Sequence, residues 1–128
     1  MGLATTETGI MTAAPYRVVD GAADHWAFEG TGLRDGDLFG QRSLHERCAG
    51  GASGHETDKR TPQTPPGFRL LAKGTNPDEG GAEIVLREGI GDAGGAVFNV
   101  GSITYVSSLL VDDGIGRITR NVLERFLG

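Results

Sequence analysis

Glycine fills 22 of the 128 positions, and no other feature constrains the fold as much. An ordered glycine loses more backbone entropy than any other residue, and glycine inside a helix or strand weakens it. A chain cut this often is expected to form short strands joined by tight turns, with long helices confined to stretches of clear periodicity. The turns are legible at Gly21 to Asp24, Gly30-Thr31-Gly32, Asp35-Gly36-Asp37, Asn76 to Gly81 and Gly89 to Gly94. The stretch Thr61 to Gly67 holds three prolines and reads as an irregular loop, since proline lacks an amide donor and biases the residue before it away from helix.

Between these breaks lie the expected elements. Tyr16 to Val19, His25 to Phe28, Phe68 to Lys73, Ala82 to Glu88 and Gly95 to Val100 read as strands, the second short and buried. Ile103 to Leu110 reads as extended or mixed structure, and Gln41 to Cys48 as a helical turn or two. The clearest helix runs from Ile115 to Leu127, where Ile115, Ile118, Val122, Leu123, Phe126 and Leu127 fall at steps of three and four and form one apolar stripe. Asp112 and Asp113 stand at its start, where the helix dipole favours negative charge. Residues 1–14 lack periodicity and are expected to be a flexible N-terminal arm, leaving 15–128 as a single domain. The fold class is α/β: a small, mostly β sheet with a C-terminal amphipathic helix.

Composition removes several functions. A net charge of −5 with no basic cluster argues against nucleic acid and against anionic membrane surfaces as partners. No apolar run approaches the length of a membrane span, and the N-terminus lacks the basic and apolar segments of a secretory signal. Cys48 is the only cysteine, so no intrachain disulfide can form, and a cytoplasmic location is the default expectation.

His25, His45 and His55 are the only histidines, and His45-Glu46 lacks the second histidine four positions on, where Ala49 stands, so the zincin motif is absent. Gly30-Thr31-Gly32 lacks the Gly-Lys-Ser/Thr of a phosphate loop. Cys48 has no nucleophile motif around it, and Ser53 in Gly-Gly-Ala-Ser-Gly is not in a Gly-x-Ser-x-Gly elbow because His55 occupies the last position. The polar cluster Gly54-His55-Glu56-Thr57-Asp58 carries most interest. If extended, it sets Glu56 and Asp58 on one side, where two carboxylates can bind a cation, perturb each other's ionisation or bond backbone amides; a solvated face or loop cap is the alternative.

Five stretches, in order, resemble the C-terminal part of the large (β) subunit of the N,N-dimethylformamidase family. They are His25-Trp26-Ala27-Phe28-Glu29-Gly30-Thr31-Gly32-Leu33, Gly54-His55-Glu56-Thr57-Asp58, Thr64-Pro65-Pro66-Gly67, Gly94 through Ile103 (GGAVFNVGSI), and Arg117 through Leu127 (RITRNVLERFL). The resemblance spans residues 24–127. It implies the closing portion of a glutamine-amidotransferase-like fold and kinship with an enzyme that hydrolyses a simple formamide using iron held by two tyrosines and a glutamate. A metal so held polarises an amide carbonyl and acidifies a bound water. Under this resemblance Glu56 is the expected glutamate ligand and Glu29 the second choice; Asp58 and His55 join Glu56 only as a metal set that the family itself does not use. The tyrosines are expected upstream, so Tyr16 and Tyr105 take no ligand role.

The functional expectation is therefore a binding or assembly domain, not catalytic alone, completed by a homo-oligomer or by a longer partner chain that supplies the upstream half. No cofactor is expected for the isolated chain, and iron or zinc only if a complete site forms. The alternative is a minimal metal-dependent amidohydrolase acting on small amides through His55, Glu56 and Asp58.

Overall fold

The computed structural model describes residues 2–6, 13–44 and 50–128. The core is a five-stranded antiparallel sheet of β3 (Tyr16–Val18), β4 (Leu38–Phe39), β7 (Arg69–Gly74), β8 (Glu83–Ile90) and β9 (Gly95–Asn99), in the order β4-β3-β7-β8-β9. Two small ribbons flank it: β1 (Ala4–Thr6) pairs with β6 (Thr57–Lys59), and β2 (Ala13–Ala14) with β5 (Ser53–Gly54), both antiparallel. One helix, α1 (Asp113–Leu127), closes the chain. The class expected from the sequence, a mostly β sheet with a C-terminal helix, is the one observed.

Pairing follows from glycine and burial together. Gly91 and Gly94 turn β8 into β9 with positive φ, and a bulge at Leu70/Ala72 lets β7 bury Leu71 and Ala72 in succession. β8 is buried on both faces through Leu86, because Ile84 and Leu86 meet the main core while β6 lies against β8 and Arg60 pairs with Glu83 at 2.7 Å. Tyr16 anchors that core. Its ring stacks on Phe39 with centroids 5.6 Å apart and meets Tyr105 edge-on at 6.2 Å.

One expected strand is corrected, and one segment expected to be extended or mixed is helical. His25 to Phe28 is a 3-10 turn at Trp26–Phe28, in which His25 Nδ1 accepts from the Ala27 amide at 3.1 Å; this local cap competes successfully with extension. Ile103–Ser108 is likewise a 3-10 helix, capped by Ser102. Residues 41–44 are not helical, and the rest of the expected helical segment, with His45 and Cys48, lies outside the described residues.

In α1 the cap is Asp112, whose Oδ1 accepts from the Ile115 amide at 3.0 Å while Oδ2 accepts from the Gly40 amide at 3.1 Å, so the helix start is tied to the end of β4. The apolar stripe is buried only in part. Ile115, Ile118 and Val122 enter the core, whereas Leu123, Phe126 and Leu127 are exposed.

Candidate functional site

Four of the sequence stretches that carry the family resemblance meet in pairs. In the first pair, Trp26 to Gly30 lies along α1. Asn121 Nδ2 donates to the carbonyls of Ala27 at 2.9 Å and Glu29 at 2.8 Å, satisfying backbone oxygens left over by the 3-10 turn. The Arg117 guanidinium lies on Gly30, where a Cβ would come within 2.7 Å of it, and Arg117 Nε donates to Asn121 Oδ1 at 3.1 Å. Trp26 is held from above and beside: Arg125 stacks over its ring at 5.2 Å, and its Nε1 donates to Glu88 at 3.3 Å. A cleft of about 540 Å³ opens here, lined by Trp26, Glu29, Asn121, Glu124, Arg125 and Gly128.

The second pair builds the cleft that holds Glu56 and Asp58. His55 takes a left-handed φ of 67° after β5, which swings the chain into β6. Ser102 Oγ accepts from the Gly54 amide at 2.9 Å and donates to the Gly54 carbonyl at 3.1 Å, and the Asp58 amide donates to the Gly101 carbonyl at 2.7 Å. Gly101 is required at this crossing. Its φ is +64°, and a Cβ there would stand 2.6 Å from the Asp58 carbonyl oxygen. The far wall is pinned from the core, since the Tyr16 hydroxyl donates to the Val100 carbonyl at 2.6 Å. The result is a hollow of about 220 Å³ lined by Glu56, Asp58, Asn99, Val100, Gly101, Ser102 and Ile103.

Glu56, in the bend before β6, and Asp58, within β6, line the same cleft. His55 is the turn residue beside them and is not part of the lining. Glu29 lines the separate Trp26 cleft. His25 serves as a cap in the same region as Trp26, and burial followed by the nearby Arg69 holds its imidazole below the ordinary histidine range. Ser53 is fully buried and structural: its Oγ donates to Asn76 Oδ1 at 2.8 Å and accepts from the Ala82 amide at 2.9 Å.

The described residues do not make up the iron centre implied by the resemblance. No group of three His, Cys, Asp or Glu among them gathers as a metal site. Both tyrosines are buried with engaged hydroxyls, Tyr16 on Val100 and Tyr105 with Thr119 at 2.8 Å. Burial raises both phenols, Tyr105 to about 12 and Tyr16 well above its usual range, which opposes the phenolate form a metal would need.

Sequence reasoning missed the wall formed by Asn99 to Ile103 and the bridging role of Asn121. Asn121 did leave a trace, because asparagine disfavours a helix interior, so its place in an otherwise apolar-periodic helix points to a tertiary bond.

Fold and site together define a small α/β domain, chiefly sheet, in which two carboxylates line a shallow cleft. The family model for the N,N-dimethylformamidase beta subunit-like, C-terminal domain matches residues 1–117, and the chain belongs to that family. Comparison with curated proteins gives no match.

Proposed function

We propose that the chain is an assembly domain of an amidohydrolase-type system, not catalytic alone, that contributes one carboxylate wall to a site completed by self-association or by a partner chain. The observation that carries this reading is the sharing of one cleft by Glu56 and Asp58 with no further carboxylate, histidine, cysteine or basic side chain among its lining residues. Two ionised carboxylates with no cation and no proton shared between them offer nothing to stabilise the negative charge that develops on an amide oxygen. Glu56 is the residue assigned to the completed centre, with Asp58 and His55 flanking it. The same reading takes the domain as the closing portion of a glutamine-amidotransferase-like architecture, working in the cytoplasm on small amides once its partner is in place.

The test is hydrolysis of a simple formamide by the purified chain, with and without added iron or zinc, alongside elemental analysis. The expected result is no turnover above buffer and no stoichiometric metal. Turnover by the chain alone that disappears in Glu56→Ala overturns the proposal and establishes a minimal amidohydrolase instead.

A further inference from the structure

His25 holds the start of the Trp26–Phe28 turn through an atom that has to stay unprotonated. Its Nδ1 lies 3.1 Å from the Ala27 amide nitrogen, which can only donate, so Nδ1 accepts and the imidazole is neutral with its proton on Nε2. The far end of the turn is anchored separately. Phe28 is buried in the core, and Asn121 bonds the carbonyls of Ala27 and Glu29. Trp26, only partly buried, sits between these anchorages with its ring 5.0 Å from the His25 ring.

The charges that act on the imidazole come from three elements. Arg69 on β7 and Arg125 on α1 oppose a proton there, and Glu88 on β8 favours one. Glu88 is already engaged at both oxygens: Oε2 accepts from Trp26 Nε1 at 3.3 Å, and Oε1 lies 3.5 Å from Arg125 Nε. Arg69 donates to the Gly21 carbonyl at 2.9 Å, in the turn just before His25. Asp35 serves that same turn, accepting from the amides of Gly21 at 2.8 Å and Ala23 at 2.9 Å. An imidazolium at position 25 therefore acts twice. Its Nδ1–H meets the Ala27 N–H donor to donor, and its charge competes for the carboxylate that holds Trp26.

We propose that His25 is a proton-operated latch on the Trp26 cleft: neutral, it keeps Trp26 closed against Arg125 and Glu88, and protonated, it lets Trp26 swing away while Phe28 and α1 stay in place. What changes is one wall of the cleft of about 540 Å³, together with the ring that Arg125 covers at 5.2 Å. Loss of one cap bond shifts an opening equilibrium by roughly fivefold, enough to move a turn and too little to unfold a domain. Histidine suits this task because its proton equilibrium lies closer to neutrality than that of any other capping side chain. The latch is independent of the assembly reading, since it uses neither Glu56 nor Asp58.

The experiment is acrylamide quenching of Trp26, the only tryptophan, in the full chain from about pH 8 to about pH 4.5, with far-UV dichroism on the same samples. The expected result is a quenching constant that rises at least about twofold, with its midpoint below the ordinary histidine pKa and with the dichroism unchanged. His25→Asn supplies a side-chain oxygen that caps at every pH, so its quenching should stay low across the range. His25→Ala should be readily quenched already at pH 8. Amide exchange of the unsubstituted chain gives a reading that needs no variant: Ala27 should lose protection with the same midpoint while the β8 amides keep theirs. Quenching that stays flat overturns the proposal, as does a rise of equal size in His25→Asn. A rise that coincides with loss of far-UV signal overturns it too, because acid then unfolds the domain as a whole.

Discussion

Asn121→Ala tests the tie between α1 and the Trp26 turn. The side chain donates two hydrogen bonds, to Ala27 and Glu29, and accepts one from Arg117. Each of the first two contributes about 1 kcal/mol net, less for the Glu29 bond because it is exposed to water. Alanine returns about 0.5 kcal/mol through its better helix propensity. The expected loss is about 1 kcal/mol of unfolding free energy. With a urea slope of about 2 kcal/mol/M for a domain of this size, the midpoint falls by about 0.5 M at unchanged slope. Asn121→Asp should fall further, since a carboxylate cannot donate to carbonyls and faces their negative ends. Arg120→Ala is the matched control, because its ion pair with Glu124 at 2.8 Å is fully solvated and spans one helical turn; its midpoint should move little. The assay is equilibrium urea unfolding followed by far-UV dichroism and by Trp26 fluorescence, which reports the region directly. A midpoint for Asn121→Ala within error of the control refutes the reasoning and leaves the turn held by Trp26 packing alone.

Two further outcomes follow from buried polar contacts. Ser53→Ala removes the acceptor of the Ala82 amide and the donor to Asn76 inside the core, and should cost about 2–3 kcal/mol, read as a lowered urea midpoint without any change in ligand or partner binding. For His25 the folded state disfavours the proton, so the unfolded chain binds more protons below the ordinary histidine pKa of about 6.5. Stability should therefore decline as pH falls through that value and level off below the lowered folded pKa. Melting temperatures of the unsubstituted chain and of His25→Asn between pH 7.5 and about pH 5 check this, with the flatter profile expected for the variant.

How much was legible in the chain depends on the range of the forces involved. Glycine and proline act within their own turn, so the breaks at Gly91 and Gly94 and the loop at Thr61–Gly67 could be read directly. The helix Asp113–Leu127 was legible for a similar reason, because its cap and its three-and-four spacing are local features. β7, β8 and β9 were legible because apolar residues cluster between glycines. His25 to Phe28 was misread as a strand, since an apolar run of four looks the same in a strand or a 3-10 turn. The imidazole cap on Ala27 and the Asn121 bonds, the latter more than ninety residues away, favour the turn.

By itself, then, the sequence determined a short-stranded sheet closed by an amphipathic helix, and the family to which the chain belongs; that Glu56 and Asp58 line one cleft came from the bend before β6. Only the tertiary structure decided what stands opposite them. Gly101 and Ser102 reach Gly54 and Asp58 across more than forty residues, and that approach depends on a missing Cβ and on Tyr16 holding Val100 from the core. It decided as well that the helix stripe is half covered and that Ile103, Val106 and Leu110 face outward. Burial depends on what the rest of the chain leaves room for, and no local pattern of residues encodes that.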